Sequence, residues 1–350
     1  MPYFTIQIDE LFTSYRFYHN LLPKLSRYVR NLDKDPILFD FSNTRRISSL
    51  VIPNLLCVGY IIKTNYQIPA TIFVPDNSAS DNIRNFLHNI GFVHLAKNYE
   101  LFTFTDSIDF GNSRRILDPR CQTHEFNPNP NGKNDESAIR AEVSRRFSPF
   151  FRTLFSNFDP VAQYSEDIQE YRPLTNMVED VCAQLIFNSI IHGRSFAFMT
   201  AEVNHTARKI YISIADCGIG FRQCINSQIK RSEQPFENRG ELMSDELEAI
   251  INAVFVRAED EHNKVYGIYP LIKRILDLDG IVRIHSIDTQ LILTSKLRVK
   301  LDIATNNRNN VKEIRQSFLT LMRDETSNTY NVYTNMKCGG VHIEIELPLI

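Results

Sequence analysis

Glycine is scarce in this sequence, with 12 among 350 residues, about half of the usual share. The scarcity excludes collagen-like and glycine-rich low-complexity chains. A glycine-dependent phosphate loop would have to use very few residues, so the position of each glycine is informative. Eight of the twelve lie after position 190, at 193, 218, 220, 240, 267, 280, 339 and 340.

Several other features are also missing. The 39 basic and 41 acidic residues give a net charge of −2, so no basic excess favours nucleic acid or a membrane surface. The N-terminus MPYFTIQIDELF lacks the pattern of a secretory signal. No apolar run reaches the roughly 18 residues of a transmembrane helix. The six cysteines form no CxxC pair, which favours reduced thiols. We therefore expect a cytoplasmic protein with no membrane partner, and the charge balance does not favour a nucleic-acid partner.

The composition and length favour a globular protein of two or three domains. Hydrophobic residues make up 43% and charged residues 23%, which excludes a mostly disordered chain. Residues 1–105 alternate short β-rich and helical segments, predicting a small α/β domain with strands at 36–41 and 68–74 and helices at 49–62 and 78–90.

Residues 106–172 are predicted to be a linker and an amphipathic helix. The stretch 121–136 is polar and holds two Asn-Pro pairs, which is typical of a linker. The helix is predicted over 137–157.

Residues 173–350 are predicted to be a second domain, with a mixed sheet covered by helices. The predicted α/β class is thus a two-layer α+β sandwich preceded by the smaller domain. An insertion spans 296–338, with a helical stretch near 311–323. The other predicted elements are helices at 178–192, 245–256 and 271–278 and strands at 197–203, 210–215, 281–285 and 341–347.

Three segments of this second domain hold residues suited to nucleotide chemistry. Gln184, Asn188 and His192 share one face of a helix, although a solvent-facing stripe would look the same. Asp216-Cys-Gly218-Ile-Gly220 follows a strand, where a carboxylate can accept a hydrogen bond from an exocyclic amine; a simple turn is the alternative. Gly267 precedes a helix that begins near Pro270, and a helix N-terminus suits phosphate.

The order and spacing of these segments resemble the GHKL ATPase superfamily, which includes gyrase B, Hsp90, MutL and the ATP-binding domain of histidine kinases. Its motifs are E-x-x-x-N, then D-x-G-x-G, then G-x-G before a helix. The resemblance covers roughly 173–350. It implies a Bergerat-type fold that binds ATP and Mg²⁺.

The resemblance assigns roles to individual positions. Asn188 would coordinate Mg²⁺, and Asp216 would bind the adenine amino group. Residues 222–264 would form a lid over the nucleotide. The expected nucleotide-binding residues are Asn188, His192, Asp216, Gly218, Gly220, Gly267, Ile268 and Tyr269.

The sequence departs from the family pattern at three positions. The general-base glutamate is replaced by Gln184, whose neutral amide cannot take a proton from water; such assistance is typically worth about 10²–10⁴-fold. Val265 replaces a glycine, and Val341 replaces a threonine that supports the adenine contact. Glu179 or Asp180 could substitute as the base.

The lid segment is unusually acidic. It holds nine acids against five bases between 222 and 262, a net charge of −4. We expect these acids to face solvent or a partner, away from the nucleotide.

The N-terminal unit, over roughly 30–105, resembles the STAS domain of anti-sigma-factor antagonists. Ser49 falls where that family carries a phosphorylatable serine, so it is a candidate phosphoacceptor. Alternatively, Ser48 and Ser49 only cap the helix. STAS proteins are substrates of GHKL serine kinases, so the combination suggests signalling, with bacterial stress response or phage defence as settings.

Four functions are compatible with these patterns. The favoured one is a nucleotide-gated switch that binds ATP and Mg²⁺, controls a homodimer or a protein partner, and hydrolyses ATP weakly or not at all. The alternatives are a serine kinase of the anti-sigma-factor type, a scaffold without nucleotide, and a DNA-acting ATPase of the MutL or gyrase type.

Overall fold

The chain folds into two α/β units, each with its own sheet, in the computed structural model that we describe. The structure describes residues 3–30, 35–78, 80–105, 120–127, 137–146, 168–193, 195–223, 245–255, 268–306, 330–333 and 338–349. Parallel and antiparallel pairs both occur, and helices accompany both sheets, so the predicted α/β class is confirmed.

The N-terminal unit is built on a four-stranded sheet of order β1-β3-β5-β6. All its described pairs are parallel, so each crossover needs a long connection, which helices supply. A short pair, β2 and β4, lies beside it. Its strands are β1 Phe4–Gln7, β2 Leu11–Phe12, β3 Ile37–Asp40, β4 Arg46–Ile47, β5 Ala70–Phe73 and β6 Phe102–Phe104. Its helices are α1 (14–30, with a π-helical stretch at Phe17–Leu21), α2 Ile52–Tyr66, α3 Asp81–Asn89 and α4 Phe92–Asn98.

The second unit is built on a seven-stranded sheet of order β12-β11-β10-β13-β9-β8-β7. Its described pairs are all antiparallel. The expected mixed sheet is therefore corrected: tight turns join β8 to β9 and β10 to β11, and such turns can join only antiparallel strands. Its strands are β7 Cys121–Phe126, β8 Ala197–Asn204, β9 Lys209–Asp216, β10 Ile281–Ile287, β11 Thr289–Thr294, β12 Tyr330–Val332 and β13 Cys338–Pro348. Its helices are α5 (137–146), α6 Ile168–Gly193, α7 Asp245–Phe255, α8 Tyr269–Asp277 and α9 Arg298–Asn306.

Side chains alternate between the two faces of this sheet. Ile210, Ile212 and Ile214 of β9 pack with α6, α7 and α8 in one apolar core. The intervening residues face the N-terminal unit, and Phe198 and Ala215 join its core. Helices therefore cover one face of the sheet, and the N-terminal unit covers part of the other.

The first half of helix α2 is buried all round because it lies between the two units. Every residue from Ile52 to Gly59 is buried, and α2 contacts both β5 and the strands β8 and β9. An amphipathic surface helix would bury only one stripe. The apolar sequence around Leu55 and Leu56 thus matches a helix packed on two sides. Pro53 lies in the first turn, where proline is tolerated.

Two strands lie where the sequence predicted a linker and an insertion, so both predictions are corrected. Residues 121–126, predicted as linker, form β7 and pair with β8; Cys121 and Phe126 are buried, which the many polar neighbours concealed. Within the insertion, β12 pairs with β11. The predicted helical stretch near 311–323 and the part of the predicted helix 137–157 beyond residue 146 lie outside the described residues.

Candidate functional site

Asp216 is the centre of the candidate site. It is the last residue of β9 and is 3% exposed. Its Oδ1 accepts hydrogen bonds from the backbone N–H groups of Gly218, at 2.9 Å, and Val341, at 3.2 Å. The Ser189 hydroxyl also hydrogen bonds to the carboxylate. Strands β9 and β13 and helix α6 therefore meet at one carboxylate.

Burial disfavours the charged form of the Asp216 carboxylate. Burial raises its pKa from 3.8 to about 7, although the three hydrogen bonds oppose the shift. Burying a charge without an opposite charge is unfavourable, and such perturbed groups concentrate at functional sites. The hydrogen bond from the Gly218 N–H to Asp216 Oδ1 is the i to i+2 contact of an Asx turn, so the turn after the strand is present. The buried charge is the feature that a turn alone does not require.

Glycine backbone forms the wall around Asp216. Gly340 has φ of +88°, and a Cβ there would lie 1.9 Å from the Asp216 carbonyl oxygen. A Cβ on Gly218 would lie 2.3 Å from the carbonyl oxygen of Gly193. Neither position can take a side chain without displacing backbone. Gly220 also has a positive φ, so both glycines of the Asp216 motif have a structural reason.

The predicted polar stripe lies on α6 beside Asp216. Gln184 and Asn188 are partly exposed, whereas Leu185 and Ile186 are buried in the core. Ser189, next to Asn188, reaches Asp216, so this half of the helix borders the carboxylate. His192 belongs to the same helix, but its side chain lies outside the described residues.

Sequence reasoning missed Ser189. The residue is 7% exposed, and its hydroxyl reaches Asp216 from the helix. The sequence-based expectation was that Val341 removes a hydroxyl near the adenine contact. Val341 instead contributes its backbone N–H, and Ser189 supplies a hydroxyl from the opposite side. The adjacency of a serine to Asn188 was the only sequence signal.

The third motif is only partly described. Gly267 and Val265 lie outside the described residues. Ile268 is the N-cap residue of α8 and is buried. Tyr269 begins α8, and its hydroxyl donates a 3.0 Å hydrogen bond to Asp302 of α9. The Tyr269 hydroxyl is therefore engaged by α9.

The predicted lid over 222–264 needs a correction. Residues 245–255 form α7, which packs against β10 and β11 through Leu247, Ile250 and Val254. These apolar residues recur at helical spacing and bury one face. Glu246, expected to face solvent, is 5% exposed and accepts a hydrogen bond from Ser286. The predicted lid segments 224–244 and 256–264 lie outside the described residues.

Ser49, the candidate phosphoacceptor, lies in the interface between the two units. Ser48 caps the following turn, accepting a hydrogen bond from the backbone N–H of Leu50 at 3.4 Å. Ser49 is 2% exposed, and its hydroxyl has no hydrogen-bond partner among the described residues. In this conformation a kinase could not reach it.

A buried polar cluster joins the two units next to Val341. His342 Nε2 lies 2.9 Å from Ser213 Oγ, and its Nδ1 lies 2.6 Å from Asn54 Nδ2 and contacts the Tyr18 hydroxyl. Ser213 also donates to the Leu50 carbonyl, at 2.7 Å. Burial lowers the pKa of His342 well below 6.5, so the imidazole is neutral. Sequence reasoning missed this cluster, whose signal was the alternation of polar residues in β13.

The described residues contain no group of three or more His, Cys, Asp and Glu side chains that could hold a metal ion. Within the same ranges, no helix is long and apolar enough to cross a membrane. Comparison with family models, with curated proteins and with solved structures finds no match in any of the three.

Proposed function

We propose that this protein binds ATP with Mg²⁺ and acts as a nucleotide-gated switch with weak or absent hydrolysis. The observation that carries the proposal is the buried, unneutralised Asp216 carboxylate, held by β13 and α6 and walled by glycine backbone. An acceptor fixed in a buried site is suited to the exocyclic amine of adenine. The resemblance of residues 173–350 to the GHKL superfamily supports the same ligand.

In this proposal, different residues around Asp216 bind different parts of the nucleotide. Gly218 and Gly220 shape the loop on the adenine side. Asn188 offers an amide oxygen to Mg²⁺, which prefers oxygen ligands and takes others from phosphates and water. Gly267, Ile268 and Tyr269 would bring the N-terminus of α8 to the phosphates, and His192 would border them.

Weak or absent hydrolysis follows from the groups near the base position. Gln184 is neutral and cannot accept a proton from water. Of the two substitute carboxylates, Asp180 pairs with Arg140 at 2.9 Å, and Glu179 accepts a 3.2 Å hydrogen bond from Ser144. Both therefore engage α5, which leaves the attacking water without a dedicated base.

Strand β13 supplies the link that a switch needs. Its Val341 N–H binds Asp216 on the helix-covered face, and the next residue, His342, binds the N-terminal unit on the other face. A nucleotide that moves Asp216 would move both residues. In this proposal the gated contact is the docking of α2 on the sheet, which also buries Ser49; a homodimer or a partner would then read the change.

The serine-kinase alternative gains less from the geometry. The chain's own candidate substrate, Ser49, is buried at the interface. A kinase acting on Ser49 would need the two units to separate first.

Calorimetric titration of the full chain with ATP and Mg²⁺ tests the proposal. We expect saturable binding that weakens about tenfold or more in Asp216→Asn, because a hydrogen bond to a charged group contributes about 1.5–3 kcal/mol. Asp279→Asn, a matched change at an exposed position, should bind like the wild type.

Hydrolysis is measured on the same samples, with phosphate release near background expected. Absence of ATP binding by the wild-type chain would reject the switch and leave a scaffold without nucleotide. Rapid turnover would reject the assigned role of Gln184.

A further inference from the structure

The sheet of the second unit is only partly sealed by the N-terminal unit. Near α2, the apolar residues Phe198 and Ala215 close the interface. Further along the same face, a cavity of about 820 Å³ opens between the two units. Residues around Ser14 and Arg46 line it on one side, and β9, β13, β10 and β11 line it on the other. It lies on the face opposite Asp216.

The lining of this interdomain cleft is charged but balanced. Three arginines and three glutamates border it. Arg283 is already engaged: its Nη1 lies 2.5 Å from Glu346 Oε1 and 3.7 Å from Glu344 Oε2. The charged residues are Arg45, Arg46, Arg283, Glu202, Glu344 and Glu346.

Two buried polar atoms at the cleft, Glu344 Oε1 and Ser14 Oγ, make no hydrogen bond of normal geometry within the described residues, although the Ser14 hydroxyl lies close enough to the Glu344 carboxylate to lower its pKa. Glu344 is 2% exposed, and its Oε1 lies 3.7 Å from His342 Nε2, which is too far for a hydrogen bond. Burial keeps that imidazole neutral by lowering the pKa of His342, so it cannot neutralise the carboxylate. Arg283 also stays 3.7 Å from the Glu344 carboxylate, so the carboxylate has only weak contacts, and a buried acceptor without a well-formed hydrogen bond calls for a further donor.

We propose that the interdomain cleft binds a small zwitterionic molecule, whose cationic nitrogen donates to Glu344 and whose anionic group meets Arg46. Arg46 is exposed at the edge of the cleft. A ligand with a charge of one sign would face like charges on the balanced lining. The cavity falls within the usual range of about 300–1,000 Å³ for small-molecule sites.

Such a ligand would touch both units and therefore favour their docked arrangement, because anything that binds only the folded, docked state stabilises it. The site needs no nucleotide and stands apart from the proposed function. Loss of ATP binding would leave it intact.

The test is calorimetric titration of the full chain with a panel of free amino acids and dipeptides, including L-arginine. Agmatine, which lacks the carboxylate of arginine, serves as the cation-only probe, and propionate as the anion-only probe. We expect at least one zwitterion to bind and to raise the melting temperature. The probes whose charges are all of one sign should bind at least about tenfold more weakly, a loss of about 1.4 kcal/mol or more.

Variants locate the binding. Glu344→Gln and Arg46→Ala should each weaken it about tenfold, whereas Glu248→Gln on α7, across the sheet, should leave it unchanged. Arg46→Ala changes an exposed residue, so it keeps the test decisive even if Glu344→Gln folds poorly. The proposal is overturned if no zwitterion in the panel binds, or if binding is the same in Arg46→Ala as in the wild type.

Discussion

At the residue scale, Asp216 is the most informative position. Its carboxylate is buried without an opposite charge, and its pKa is raised to about 7. A neutral side chain of the same shape would fit with less penalty, so stability alone does not explain an aspartate here. The sequence indicated Asp216 as a candidate binding residue, because the motif Asp216-Cys-Gly218-Ile-Gly220 follows a predicted strand. The partner Ser189 could not be predicted, because its contact depends on how α6 packs on the sheet.

The raised pKa gives Asp216 a definite effect on stability against pH. The folded state binds the proton more tightly than the unfolded state, so the contribution to stability is complete below pH 3.8 and is lost as pH rises through about 7. Asp216→Asn removes this dependence. We therefore expect the variant to gain stability relative to the wild type between about pH 5 and about pH 8, by at most about 4 kcal/mol.

Urea unfolding of both proteins at the two pH values measures this difference. An identical pH dependence in the variant and in the wild type would mean that Asp216 titrates normally. Since the variant is expected to be at least as stable, any loss of ATP binding in it would not reflect misfolding.

At the scale of elements, β13 contacts both Asp216 and the N-terminal unit, because successive residues of a strand face opposite ways. Val341 contacts Asp216 through its backbone, and His342 joins Tyr18, Asn54 and Ser213 on the other face. The alternation Val-His-Ile-Glu-Ile-Glu-Leu predicted the strand and its apolar face. It could not predict what covers the polar face, since that partner comes from more than 280 residues earlier in the chain.

The His342 cluster should be essential to the docking of the two units. His342→Leu would remove the imidazole that contacts Tyr18, Asn54 and Ser213, and the loss of a partner for a buried polar group costs about 1–3 kcal/mol. We expect thermal unfolding to shift downward and limited proteolysis to cut between the units. His205→Leu, in the exposed turn between β8 and β9, is the control. Equal stability of the two variants would show that the cluster does not hold the interface.

At the scale of the whole molecule, the division into two α/β units was predictable, but their close union was not. The elements with strong periodicity were predicted: β8, β9, α6, α7 and α8. Strand β7 was not predicted because many of its neighbours are polar. The burial of α2 on two sides was not predicted either. These features arise from contacts between distant segments, such as Ser213 with Leu50, and no local pattern encodes them.

This union explains how a nucleotide site could act at a distance. Asp216 and the N-terminal unit lie on opposite faces of one sheet, joined through Val341 and His342. In the proposed switch, a change at the Asp216 carboxylate would reach α2 through Val341 and His342. The proposed switch therefore makes a claim about the interface as well as about ATP.

Hydrogen exchange of the full chain, with and without ATP and Mg²⁺, tests that claim most directly, because exchange reports local opening segment by segment. We predict that ATP changes the hydrogen-exchange rates of β13 and of residues 49–66, and that Asp216→Asn abolishes the change. Binding of ATP with unaltered exchange in both segments would contradict it.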